Sequence, residues 1–81
     1  MPDLIERVEI FKVHLKELKL GDDVDVDFLG KQTPGFSGAD IANMCNEAAL
    51  IAARKGKKAV EKQDFLDAVD RIIGGLSLIH I

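Results

Sequence analysis

Tryptophan and tyrosine are absent from these 81 residues, and there is a single cysteine. The lone Cys45 excludes an internal disulfide and any zinc cluster built on cysteines. The four phenylalanines are scattered, so nothing here forms a platform on which nucleic-acid bases stack. A net charge of −3 at pH 7 also argues against the basic stripe that a phosphate backbone attracts. No apolar run approaches the roughly 18 to 20 residues of a membrane span. Internal repeats and low-complexity stretches are missing too. So are the motifs that announce an enzyme: there is no G-x-x-x-x-G-K-[ST] phosphate loop, no H-E-x-x-H and no G-x-S-x-G. His14 and His80 lie far apart, and only Glu17 stands at ligand spacing from either of them. Catalytic residues: none. Metal-ligating residues: none.

What is present reads as one small helical domain. Hydrophobic residues make up 47% and charged residues 31%, the balance of a globular chain rather than a disordered one. Ile5, Val8, Phe11, Leu15 and Leu18 recur at three- and four-residue spacing, which predicts a helix over Pro2–Lys19 ended by Gly21. Gly21 to Asp27 is an acidic loop in which Asp25 or Asp27 caps a short helix over Phe28–Gln32. Its D-x-D-x-D pattern resembles a calcium loop only at the start. Phe28 stands where glycine is needed and Pro34 where the last glutamate should be, so calcium is rejected. A third helix is expected over Gly38–Lys55, with Ser37 and Asp40 as a capping box and Gly56 as its stop. Its core face is Ile41, Met44, Cys45, Ala48, Ile51 and Ala52, where Cys45 acts as an inert small hydrophobe. A fourth helix over Lys62–Ile73, with Phe65, Leu66, Val69, Ile72 and Ile73 inward, ends at Gly74-Gly75. Ala59-Val60 is the only candidate for extended chain. The expected architecture is all-α, a compact four-helix bundle.

Three segments together resemble a known family: "PDLIERVEIFKVHLK" (Pro2–Lys16), "TPGFSGADIANMCNEAAL" (Thr33–Leu50) and "VEKQDFLDAVDRIIGG" (Val60–Gly75). Their order and spacing are similar to the C-terminal helical lid of AAA ATPases. The nearest likeness is to FtsH-type ATP-dependent zinc metalloproteases, with Asn43, Asn46 and the "EAAL" stretch favouring that group. The likeness covers residues 2–76, which are expected to be the AAA+ lid subdomain. Residues 77–81 do not look like the charged linker that leads to a protease domain and are expected to be a non-native or linker tail. Met1, directly ahead of the first matching segment, is read as the start of an excised piece. Lids of proteasomal or p97-like ATPases are the competing reading within the family, and a stand-alone helical interaction module is the competing reading outside it.

The resemblance implies a parent that is a hexameric, membrane-bound ATP-dependent protease on the cytoplasmic side of a bacterial or organelle inner membrane. It implies ATP or ADP with magnesium in the parent, and zinc in a protease domain that this chain lacks. Implied partners are the large ATPase domain of the same chain, neighbouring subunits of a homohexamer and protein substrates, with no nucleic acid and no direct membrane contact. His14 matches the lid histidine near ribose and adenine, and Gly38 and Ala39 match the small pair against the adenine side. Ile10, one turn before His14, would add apolar contact to the base. More distant relatives carry a sensor arginine near position 39. Here the stretch is Gly-Ala-Asp, so charge stabilisation is expected from elsewhere, such as a neighbouring subunit's arginine. The residues by themselves leave alternatives open. Gly38-Ala39 also suits a helix start packed on the preceding turn, and His14, on a face with Arg7 and Glu17, also suits a solvated histidine. Asn43, Asn46 and Glu47 fit either a neighbouring subunit or solvent.

Overall fold

Each helix in this chain begins where a side chain caps it. The computed structural model describes residues 2–79, with side chains through residue 74. It holds four helices: α1 (Leu4–Leu15), α2 (Val26–Lys31), α3 (Gly38–Arg54) and α4 (Lys62–Ile79). Asp3 caps α1 by accepting the Glu6 N–H at 2.8 Å, while the Glu6 carboxylate accepts the Asp3 N–H at 3.2 Å. Asp25 rather than Asp27 caps α2, accepting the Asp27 N–H at 3.0 Å. Ser37 and Asp40 form the expected reciprocal box at α3, at 3.1 and 2.9 Å. At α4 the Asp64 carboxylate accepts the Glu61 N–H at 2.9 Å. Gly56, with φ +72, supplies the left-handed residue that stops α3.

Two helix ends depart from the sequence reading. The first helix was expected to run to Lys19 but stops at Leu15. Val60 donates its N–H to Lys19 O at 2.8 Å and accepts the Gly21 N–H at 2.9 Å, making an isolated parallel bridge between Leu20 and Val60. A carbonyl committed to that bridge must leave the helix, and the long-range pairing overrides local propensity. The fourth helix runs past Gly74-Gly75, where it was expected to end, as far as Ile79. Glycine weakens a helix by about 1 kcal/mol against alanine without forbidding it, and no proline follows to enforce the stop. Residues 80 and 81 of the expected tail lie outside the described residues.

The core is a single cluster centred on Phe11, Leu29, Ile41, Met44 and Phe65, all fully buried. The α3 helix is the hub, packing on α1 along one side and α4 along the other, while α2 leans on α1. All six residues expected on the inner face of α3 are buried. Ile5 and Ile73, expected to be inward, are instead 75% and 45% exposed.

Three buried polar residues hold the elements in place. Arg7, expected on a solvated face, is buried against the end of α2. Its Nε and Nη2 donate to Gly30 O, both at 3.1 Å, and its Nη1 donates to Pro2 O at 3.0 Å. The carbonyl end of a helix is a favourable seat for a cation. Thr33 donates its hydroxyl to the last α2 carbonyls, Leu29 O at 3.1 Å and Gly30 O at 3.2 Å. Asp64 is fully buried between Lys57 at 2.7 Å and Lys55 at 3.3 Å. Burial raises its carboxyl. The hydrogen bonds from Lys57, the Glu61 backbone and Lys55 outweigh burial and hold it below the ordinary carboxylate range.

Candidate functional site

The α3 helix starts with two residues of almost no bulk, and the structure gives one of them no internal reason to be small. A Cβ on Gly38 would meet Ile10 Cδ1 at 3.9 Å, an ordinary van der Waals separation, and nothing nearer outside its own helix turn. Its φ is not in the left-handed region either. Ala39 is exposed. The Gly38 and Ala39 N–H groups have no hydrogen-bond partner among the described residues, as expected for the first positions of a helix. Asp40 already supplies negative charge at this end through the capping box, so the helix dipole here is largely answered.

Opposite this tip runs the C-terminal half of α1. Ile10 is half-buried, packs against the core and faces Gly38. One turn later His14, also half-buried, lines a groove of about 230 Å³ with Glu17, Leu18, Ala42, Cys45 and Asn46. The structure thus brings Ile10 beside Gly38 and sets His14 on the same α1–α3 seam one turn along. Ala39 is exposed at the tip, and neither it nor Ile10 nor Gly38 lines the groove, which holds His14 alone of the four expected site residues. Burial pushes the Cys45 thiol up to about 12, so the groove holds no thiolate at neutral pH.

The groove exists because α3 turns a row of small residues towards α1. Gly38, Ala42, Cys45 and Ala49 follow one another at four, three and four residues, one stripe of a helix. The sequence singles out the tip of this stripe but not Ala42 or Ala49, although their spacing was there to be read, and it leaves Asn46 between a neighbouring subunit and solvent. The Lys55, Lys57 and Asp64 cluster sits at the opposite end of α3, about 25 Å away at 1.5 Å per residue. Among the described residues no three of histidine, cysteine, aspartate and glutamate come together as a metal site, and no helix is long and apolar enough to cross a membrane.

A tip of small residues with free N–H groups, an apolar side chain beside it and a half-buried imidazole one turn away can receive a flat, weakly polar ring. Residues 23–67 match the family model of the AAA+ lid domain. The chain is 70% identical over 76 residues to an ATP-dependent zinc metalloprotease FtsH of Parabacteroides distasonis, covering 94% of this chain and 11% of that protein. It is 68% identical over 75 residues to the FtsH of Rhodothermus marinus, covering 93% and 11%. All 81 residues align with the FtsH of Karelsulcia muelleri at 57% identity, covering 13% of that protein. The chain therefore spans about a tenth of the length of these curated relatives.

Proposed function

The chain belongs to the AAA+ lid domain family, and from that premise we propose that it closes over an adenine nucleotide held by a large ATPase domain outside this chain. The parent is an FtsH-like hexameric, membrane-bound ATP-dependent zinc metalloprotease working on the cytoplasmic side of its membrane. The bare α3 tip is the observation that carries the nucleotide role. Neither the φ of Gly38 nor its packing requires glycine, and a ring approaching from outside does.

The residues present fit the base and ribose of a nucleotide better than its phosphates. Two N–H groups are free at the tip, but Asp40 beside them repels a phosphate and tolerates a neutral ring. Ile10 supplies an apolar wall. His14 is the side chain in position to reach a ribose hydroxyl or a ring nitrogen, and it can donate or accept a hydrogen bond. Gly38 and Ala39 admit the ring at close range. Bound ATP with magnesium would supply the hydrolysable phosphate, held by the large ATPase domain outside this chain, and the zinc would sit in the parent's protease domain. The lid's own work is to close, to exclude water from one side of the base, and to pass the nucleotide state to its neighbours as a rigid body. Its partners are the large domain of its own chain and the adjacent subunits, and the protein substrates belong to the assembled parent.

The test is His14→Ala in the full-length parent. Nucleotide affinity is expected to fall by about tenfold, the scale of one lost hydrogen bond to a bound ligand, with helicity retained. Unchanged affinity removes His14 from the site. The 81-residue chain alone is expected to show no micromolar ATP binding in an NMR titration, and saturation at micromolar ATP would overturn the division of labour proposed here.

A further inference from the structure

Arg7 is a buried cation with no carboxylate among its hydrogen-bond partners. An alkyl side chain would fill the same space without the desolvation of a charge. What a guanidinium adds is direction: a planar fork that fixes two groups in a set orientation. Here the fork closes on one atom, Gly30 O, from two nitrogens at 3.1 Å each. Glycine is needed at position 30 for this approach, since a Cβ there would lie 2.8 Å from Val8 Cγ2 on α1.

The same carbonyl also accepts the Thr33 hydroxyl at 3.2 Å and the Thr33 N–H at 3.4 Å. The Thr33 carbonyl in turn accepts the Phe36 N–H at 3.1 Å, immediately before the Ser37 cap and Gly38. A continuous hydrogen-bonded path therefore links Arg7 to the start of α3. On α1, Arg7 lies three residues before Ile10 and seven before His14, close to one face. The clasp joins the element carrying Ile10 and His14 to the turn that leads into Gly38 and Ala39 at the start of α3.

We infer that Arg7 is a positioning residue for the nucleotide base: through Gly30 and Thr33 it sets the spacing and angle of the two walls of the α1–α3 cleft. The inference rests on the adenine-facing reading of that cleft. Arg7 touches no nucleotide in this account and acts only through the turn.

The experiment uses the full-length parent with Arg7→Lys, His14→Ala and the double variant, and measures affinity for ATP and for inorganic triphosphate. Lysine keeps the charge but loses the fork. Arg7→Lys is expected to weaken ATP by about tenfold and to leave triphosphate unchanged, since triphosphate needs no base wall. The double variant is expected to be no weaker than the weaker single, because both changes disable one wall. Thr33→Val, close in shape, loosens the same turn from its other side and is expected to weaken ATP by about threefold even where the arginine variants fold poorly. Full ATP affinity in Arg7→Lys or Thr33→Val beside a weakened His14→Ala overturns the inference and leaves the site standing. Additive losses, or equal losses of ATP and triphosphate, overturn it as well. Unchanged affinity in His14→Ala defeats the site reading itself, and the inference with it.

Discussion

Gly38→Ala separates a glycine kept for the fold from one kept for a visitor. The added Cβ would sit 3.9 Å from Ile10 Cδ1, close enough for attraction and too far for a clash. Helix propensity favours alanine by up to about 1 kcal/mol in a helix interior, and about half of that at a first position. One new carbon contact adds roughly 0.1–0.2 kcal/mol. The fold should therefore gain about 0.5 kcal/mol, which for a domain of this size raises Tm by roughly 2–4 °C. A circular-dichroism melt of the 81-residue chain reads this directly. In the full-length parent the same methyl occupies space proposed for the ring, and Gly38→Val occupies more. Valine should weaken ATP by about tenfold, the effect of forcing a methyl-sized group into a fitted contact. A Tm lowered by more than about 2 °C in Gly38→Ala would mean the glycine serves packing after all. Unchanged ATP affinity in Gly38→Val would mean the bare tip receives no ligand.

Gly30→Ala should behave in the opposite way, because its Cβ meets Val8 Cγ2 at 2.8 Å and Leu4 Cδ1 at 3.1 Å. The strain should outweigh the propensity gain and destabilise the chain by about 1–2 kcal/mol, seen as a lower urea midpoint; a midpoint at or above that of the parent sequence would refute the close α1–α2 approach. Asp64 has its carboxyl held below its ordinary value, so its stabilising effect is complete above pH 3.8 and is lost as pH falls through the lowered folded-state value. Asp64→Asn should flatten that acid limb in Tm measured from pH 6 to pH 2, and an unchanged limb would show that other carboxylates govern it. Lys57 is raised by its hydrogen bonds to Asp64 and then Glu61, so its share persists at neutral pH and fades only as pH rises past 10.5 through the higher folded-state value. Cys45, pushed to about 12 by burial, should resist a thiol reagent at pH 8 until denaturant unfolds the chain; fast labelling of the folded chain would show that the groove opens.

The parts of this domain that were readable in advance are those governed by neighbours in sequence. The α3 helix is the clearest case. Its cap lies within three residues of its start, its stop is a glycine, and its six inner residues follow from a 3.6-residue period alone. Arg7 escaped because its partner is 23 residues away, and a charged residue on an amphipathic helix reads as solvated unless that partner is known. Lys19 left the helix for the same kind of reason, drawn out by Val60. Ile5 and Ile73 belong to their apolar stripes by spacing, yet each stripe extends beyond the neighbours that cover it. Of the candidate site, the small size of Gly38 and Ala39 was plain in the sequence, the role proposed for them came only from the family resemblance, and the groove along His14 and Asn46 was not legible. That groove depends on how α1 lies across α3, which no single helix encodes.

The Leu20–Val60 bridge ties together two loops 40 residues apart with only two hydrogen bonds. Closing a loop of that length opposes pairing by roughly 3 kcal/mol before any constant is added, more than two such bonds return on their own. The bridge can therefore close only after helix docking has already brought the loops together. Its two amides, Val60 and Gly21, become natural reporters in hydrogen exchange. They should lose protection whenever the α1–α2 half parts from the α3–α4 half, even while each half keeps its helices.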